Sequence, residues 1–300
     1  MLVVAAQTDR GRIRRRNEDN YLVARLEQDC AVQDASLGPV RGLVAKHDSL
    51  LLVVADGMGG EAHGDRASRI VVQHFANFAR RRGHSLVAEQ KAGIERALAH
   101  ELEVCNGKIR QLGEENIAFR GMGTTATLVF IAHGRLHVAH VGDSRCYLHR
   151  QEQLKQLTRD HSVAQSLSDQ GALTTEEACR SPYRHQLWNT LGGDAEIIVE
   201  QHSVDLVTGD KVLLCTDGLT EHVCESRLER KLSSSGDVDS ICSELVGAAN
   251  DAGGRDNITS ILVHVPIRET KSSPVSVASS LDSAPPLGRQ ALSHPTMGAH

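Results

Sequence analysis

The chain has 300 residues, of which 40% are hydrophobic, 24% are charged and only 3% are aromatic. This composition is typical of a soluble globular protein, and the length suffices for one large domain or two ordinary ones. The formal net charge of -5 argues against a general nucleic-acid-binding surface, which would be basic. No apolar run approaches the roughly 18 residues that cross a membrane.

The seven cysteines are scattered along the chain, and no two have the Cys-x-x-Cys spacing of a zinc or redox motif. We therefore expect neither structural zinc nor a disulfide framework, and we expect a cytoplasmic location, where thiols stay reduced. The N-terminus has no positively charged stretch before its short apolar run, so it does not resemble a signal peptide.

Apolar runs predict the strands, and a helical period of apolar residues predicts the helices. The predicted strands are 2–6, 21–24, 50–55, 124–131, 136–141, 145–148, 197–203, 211–215 and 257–265. The predicted helices are 64–82, 85–112 and 237–249. We expect segment 27–48 to be a loop or a hairpin excursion, and segment 158–193 is polar and mixed.

Strands and helices occur in blocks and not in strict β-α-β alternation. This order predicts an α+β fold, with hairpin-linked antiparallel sheets and helices packed outside them. The composition changes near Pro266, because five of the seven prolines lie at position 266 or later and seven serines follow it. We predict one folded domain at residues 1–266 and a disordered Ser/Pro-rich tail at residues 267–300.

Carboxylates follow several of the predicted strands. Asp56 and Asp217 each come after an apolar run and precede a glycine, and further acidic residues lie in predicted corners at Glu18, Asp19, Asp143 and Asp256. Either Asp-Gly site, taken by itself, is better explained as an ordinary turn. If the strand ends converge, however, they form an all-oxygen site, which suits Mg²⁺ or Mn²⁺ and not zinc or copper.

Four arginines lie in the six residues before Glu18, at positions 12, 14, 15 and 16. A solvated basic loop would explain them. A guanidinium beside two metal ions would instead bind a phosphate bidentately. Metals, arginine and carboxylates together suggest phosphoryl chemistry.

The order of these motifs resembles the PPM/PP2C family of metal-dependent serine/threonine protein phosphatases, in its bacterial branch. Each motif is weak by itself, but six in order across about residues 1–265 argue strongly against chance. They are Arg14…Asn17-Glu18-Asp19, Asp56-Gly57-Met58-Gly59-Gly60, Gly123-Thr124-Thr125, Gly142-Asp143-Ser144-Arg145, Asp217-Gly218-Leu219 and Arg255-Asp256-Asn257.

The resemblance implies an antiparallel β-sandwich flanked by helix pairs, in α-β-β-α layers, with two Mn²⁺ or Mg²⁺ ions at one end. It implies that water held between these ions hydrolyses phosphoserine and phosphothreonine. It also implies a flap at about residues 159–190 that borders the site and shapes substrate choice. The site residues that it implies are the metal ligands Asp19, Asp56, Asp217, Asp256 and the Gly57 carbonyl, Glu18 acting through water, Arg14 holding the phosphate, and Asp143 in a third, weaker metal site with Asp217.

Two positions depart from the family pattern. Animal relatives carry a histidine, a proposed general acid, where this chain has Met58, although bacterial relatives commonly have methionine there. A histidine often follows the double glycine in bacterial members, whereas this chain has Glu61, with His63 two residues further on. The source of the proton for the leaving group is therefore open at this point.

Three alternatives accompany the leading interpretation. A non-catalytic pseudophosphatase, acting as a binding module, predicts loss of metal ligands, and none is lost. A metal-dependent phosphodiesterase or nuclease would fit a basic surface better than this acidic one. A sigma-factor-regulating phosphatase of the same fold is the third. For the leading interpretation we expect phosphorylated proteins as substrates, a cognate Ser/Thr kinase, no nucleic-acid partner and a monomer.

Overall fold

The computed structural model describes residues 1–26, 31–34, 38–46, 49–59 and 63–266. The predicted tail at residues 267–300 and Glu61 lie outside these ranges, so the tail stays a prediction. None of the helices described is both long enough and apolar enough to span a membrane.

Fourteen strands and seven α-helices make up the described part of the chain. The strands are β1 Leu2–Asp9, β2 Asn20–Arg25, β3 Ala31–Asp34, β4 Val40–Ala45, β5 Leu50–Ala55, β6 Gly57–Met58, β7 Gly123–Thr124, β8 Ala126–Ala132, β9 Arg135–Val141, β10 Arg145–Arg150, β11 Gln153–Gln156, β12 Glu200–Asp205, β13 Lys211–Cys215 and β14 Ile258–His264. The helices are α1 Gly64–Val87, α2 Lys91–Glu115, α3 Val163–Asp169, α4 Thr175–Arg180, α5 Asp217–Thr220, α6 Glu225–Leu232 and α7 Val238–Asp251.

Two six-stranded sheets form the centre of the fold. The first has the strand order β11-β10-β13-β14-β1-β4, and the second has the order β12-β9-β8-β5-β2-β3. All neighbouring strands in both sheets are antiparallel. Strands β6 and β7 pair separately, and they lie beside the ends of β5 and β8.

Three hydrophobic clusters fill the interfaces between the layers. One packs α1 and α2 on the second sheet, one lies between the two sheets, and one packs α6 and α7 on the first sheet. Strand β5 is buried along its whole length because alternate residues enter different clusters: Leu51 and Val53 face the helices, and Leu52 and Val54 face the other sheet. The predicted α+β class and its layer order are confirmed.

Several elements differ from the sequence prediction. Segment 27–48 contains two strands where we expected a loop or hairpin, and it joins the sheets, because β3 pairs with β2 and β4 pairs with β1. Helix α1 continues past the predicted end at residue 82, since Leu86 is fully buried. Strand β11 and helix α6 went unpredicted because most of their residues are polar, and only pairing and packing with neighbours stabilise them.

Two glycines allow backbone segments to meet at the strand ends. A Cβ at Gly218 would lie far inside van der Waals contact with the carbonyl oxygen of Asn257, and one at Gly57 would collide with the carbonyl of Gly64. The glycines that follow Asp217 and Asp56 are therefore required by close backbone packing, and neither has a positive φ. This packing brings the Asp217 strand end against the segment that carries Asp256.

We expect Gly218→Ala to lower the free energy of unfolding by about 1–3 kcal/mol, because the added methyl overpacks a buried backbone contact. The matched control is Gly247→Ala in α7, where nothing lies within 4 Å of the added Cβ. That change should raise the free energy of unfolding by about 0.5–1 kcal/mol, since alanine is the better helix former. Urea unfolding measures both, and equal effects of the two substitutions would contradict the packing argument.

Candidate metal centre

A cleft of about 940 Å³ opens where the strand ends and the arginine-rich loop meet. Seven of the eight predicted site residues line it: Arg14, Glu18, Asp56, Gly57, Asp143, Asp217 and Asp256. The eighth, Asp19, is 2% exposed. Residues that are far apart in the chain thus gather in one place.

Asp19 is held from below by two threonine hydroxyls. Thr216 and Thr259 donate hydrogen bonds to its Oδ2 atom, at 2.8 and 2.7 Å. The other oxygen, Oδ1, is buried and has no hydrogen-bond partner among the described residues. The hydroxyls thus orient the carboxylate and leave one oxygen available to a ligand.

Asp56 is positioned by the Gly-Thr-Thr motif through its backbone. Its carbonyl oxygen accepts hydrogen bonds from the Thr124 hydroxyl at 2.8 Å and from the Thr125 N–H at 2.9 Å. Its own N–H donates to the Thr125 hydroxyl at 3.0 Å. These bonds fix the end of β5 and explain why the motif accompanies the Asp56 motif.

Asp256 joins the arginine-rich loop to the start of β14. Arg14 donates from Nη2 to Asp256 Oδ2 at 2.6 Å. The Asn257 side chain donates to the carbonyls of Arg10 and Arg16, at 2.8 and 2.9 Å, and accepts from the Glu18 N–H at 2.8 Å. The loop that carries Arg14 and Glu18 is thereby tied to the segment that carries Asp256.

Burial and mutual repulsion oppose ionisation of the aspartates. Burial, with the charges of Asp217 and Asp256, raises the pKa of Asp19 to about 7 in spite of its two hydroxyl donors. Burial, with the charges of Glu221 and Asp256, raises the pKa of Asp217 to about 6. Burial and neighbouring carboxylates also hold the pKa of Asp56 and that of Asp143 well above the ordinary value. A nearby cation would reverse this penalty.

The donor set fits a hard divalent ion. Asp217 Oδ1, like Asp19 Oδ1, is buried without a hydrogen-bond partner among the described residues. Carboxylate oxygens are the ligands that Mg²⁺ and Mn²⁺ prefer. Carboxylate oxygens without hydrogen-bond partners, beside other carboxylates that repel them, are available as ligands for such a cation.

Two cleft residues were missed in the sequence. The Nδ1 atom of His185 lies 2.8 Å from Glu221 Oε1 and 3.8 Å from Asp217 Oδ2, so the three side chains could share an ion. Glu221 follows Asp217 by four residues, a helical spacing that could have indicated it. No sequence signal marks His185, because it reaches the cleft from the segment after α4.

Met58, at the position where animal relatives carry a histidine, lines the cleft. His63 is not among the lining residues, and its ring packs edge-on against Phe119 with the centroids 5.4 Å apart. His185 does line the cleft, although burial and the charge of Arg184 lower its pKa.

The segment predicted as a flap is attached beside the Asp143 corner. Asp160 forms an ion pair with Arg145 at 2.6 Å, and His161 Nδ1 accepts from the Gly142 N–H at 3.1 Å and from Asn189 Nδ2 at 2.8 Å. Helices α3 and α4 lie within this segment, and Leu187 and Thr190 line the cleft. The segment thus borders the site.

Comparison with known proteins gives matches to protein phosphatases over most of the chain. Residues 24–262 match the protein phosphatase 2C family. The serine/threonine phosphatase Stp of Listeria welshimeri is 35% identical over 257 residues, which cover 86% of this chain and 93% of Stp. The protein phosphatase PhpP of Streptococcus pneumoniae is 38% identical over 216 residues, covering 71% and 85% of the two chains.

Solved structures agree with the sequence relatives. The serine/threonine phosphatase Stp1 from Staphylococcus aureus superposes with a TM-score of 0.76 at 29% identity, covering 89% of this chain and 96% of Stp1. The catalytic domain of the phosphatase PstP, in complex with two manganese ions, superposes with a TM-score of 0.70 at 30% identity, covering 89% of this chain and all of that domain. The predicted family and enzyme class are confirmed: the chain belongs to the protein phosphatase 2C family.

Proposed function

We propose that this protein hydrolyses phosphoserine and phosphothreonine in proteins, at a centre that holds two Mn²⁺ or Mg²⁺ ions. The observation that carries the proposal is the gathering of mutually repelling aspartates in one cleft, with a guanidinium at their edge. The two manganese ions of the related PstP domain support the choice of metal and its number.

The core ions would be held by Asp19, Asp56, Asp217 and Asp256 together with the Gly57 carbonyl. Asp143 would contribute to a third, weaker site with Asp217. After burial, the charge of Asp217 is the largest cause of the raised pKa of Asp143. When bound, the ions supply Lewis acidity toward a phosphoryl oxygen and positive charge for the phosphate dianion.

Arg14 and Glu18 would act on the substrate and on water. Arg14 donates one N–H group to Asp256, and the other N–H groups of its planar guanidinium would bind the phosphate. Glu18 lines the cleft half-buried, and burial raises its pKa. Its carboxyl would orient water near the phosphorus. A cognate kinase and a cytoplasmic location stay predictions.

Hydrolysis of a phosphothreonine peptide should require Mn²⁺, stop with EDTA and return when Mn²⁺ is restored. Asp56→Asn or Asp217→Asn should lower kcat by at least about 100-fold, because loss of a ligand costs more than loss of a residue that only orients a ligand, which costs about 10- to 100-fold. The fold should survive, and the metal-free Asp217→Asn protein should melt no lower than wild type, because one repelling charge is gone. Asp251→Asn, at an exposed carboxylate outside the cleft, is the control. Near-normal Mn²⁺-dependent turnover by either cleft variant would refute the assignment.

Arg14→Ala should raise KM for a neutral phosphothreonine peptide by about 10- to 150-fold, corresponding to about 1.5–3 kcal/mol for one charge-assisted contact. Binding of Mn²⁺, measured by calorimetry, should change much less. Arg12→Ala is the matched control, because Arg12 lies in the same loop but does not line the cleft. Unchanged kinetics in Arg14→Ala, with a loss in Arg15→Ala or Arg16→Ala on this peptide, would assign the phosphate contact to another arginine.

Asp143→Ala should lower kcat and raise the Mn²⁺ concentration needed for half-maximal rate, while calorimetry still detects the two core ions. The competing explanation is that Asp143 only stabilises its own corner, as aspartates in turns often do. In that case the melting temperature would fall and kcat per folded molecule would not change. Loss of all Mn²⁺ binding would place Asp143 among the core ligands instead.

A further inference from the structure

We propose that the cleft contains a second anion-binding subsite, formed by Arg15, Arg16 and Arg255, which we call the arginine rim. This subsite would favour substrates that carry a second phosphate or a carboxylate within a few residues of the phosphorylated one. The inference rests on the proposed function, because it names the class of phosphoprotein segment that the same cleft takes.

The arginine rim is built from two loops that hydrogen bonds hold together. The N–H groups of Arg12 and Ile13 donate to the carbonyl of Gly254, at 2.7 and 3.3 Å. On the other side, the buried Asn257 side chain donates to the Arg16 carbonyl at 2.9 Å. The backbone that carries these arginines is thus fixed before any substrate arrives, which lowers the entropic cost of binding an anion there.

The three guanidinium groups are free to bind. All three side chains are exposed and line the cleft. Five carboxylates that are not partners of Arg14 line the same cleft, at Glu18, Asp56, Asp143, Asp217 and Glu221. Within the described ranges no carboxylate lies within 4.0 Å of the rim guanidiniums, whereas Arg14 pairs with Asp256 at 2.6 Å. Their charge is therefore not consumed by the metal-binding aspartates.

The position of the arginine rim points to the residues that flank the reacting one. Arg255 lines both this cleft and an adjoining one of about 670 Å³, to which Arg184 also contributes. Arg15 and Arg16 directly follow Arg14, the proposed phosphate contact, and an extended peptide advances about 3.3 Å per residue, so we place the second charge one to three residues from the reacting one. A guanidinium matches the geometry of a phosphate or a carboxylate with two parallel hydrogen bonds.

The test compares three phosphothreonine peptides that differ at one position, two residues away, where they carry alanine, glutamate or phosphoserine. At low salt we expect kcat/KM to be about tenfold higher for the phosphoserine peptide than for the alanine peptide, mostly through KM, with glutamate intermediate. The preference should shrink at high salt, because the rim is exposed. The double variant Arg16→Gln/Arg255→Gln should reduce it to about twofold or less, while Arg12→Gln keeps it.

Hydrolysis of p-nitrophenyl phosphate separates the two proposals. The double variant should hydrolyse it with wild-type kcat and KM, since this substrate has no second anion. Normal Mn²⁺-dependent turnover of p-nitrophenyl phosphate with equal rates for the three peptides would overturn the subsite alone, and so would a preference that survives in the double variant. Absence of any Mn²⁺-dependent turnover would overturn the proposed function instead. Fluorescence anisotropy of the same peptides in EDTA then still tests the subsite, because tighter binding of the phosphoserine peptide must depend on Arg16 and Arg255.

Discussion

Repulsion among buried carboxylates is the constraint on which the rest of this structure depends. Burial and the charges of neighbouring carboxylates raise the pKa values of Asp19, Asp56 and Asp217, so the protein alone disfavours their ionised state. A flexible scaffold would let them move apart. Here each follows or precedes a strand of an aliphatic sandwich whose three clusters are closely packed, so the energy of packing keeps the charges together until cations neutralise them.

The residues around the aspartates hold their carboxylates in position. Thr216 and Thr259 each use a hydroxyl to orient Asp19, and Thr124 and Thr125 fix the strand end at Asp56. Gly218 lets the Asp217 segment approach the backbone before β14. These residues lie behind the carboxylates, and they set the directions in which the carboxylate oxygens point. Loss of any of these threonine hydroxyls should therefore change how the carboxylates are oriented.

The cleft has two electrostatic zones with separate roles. Aspartates line the inner part, and arginines line the outer part, with Arg14 joining them through Asp256. The inner zone suits divalent cations, and the outer zone suits anions of a substrate. The segment predicted as a flap is tied to the Asp143 corner through His161, which accepts from the Gly142 N–H and from Asn189, so its position is linked to the inner zone. The related PstP catalytic domain was solved in complex with two manganese ions.

The sequence by itself determined the layered α+β class, the buried strand before Asp56, and the chemical type of the site, because apolar periodicity and the order of motifs can be read along the chain without knowledge of its contacts. Only the tertiary structure brought Asp19 to Thr259, which are 240 residues apart, and His185 to Glu221, because such contacts depend on non-local strand pairing. The sequence left segment 27–48 open between a loop and a hairpin for the same reason: the residues of β3 and β4 are partly polar, and pairing with β2 and β1 stabilises these strands. The spacing of apolar residues along the chain indicates which segments are helices or strands. Whether the strand ends converge is decided by the register of the two sheets.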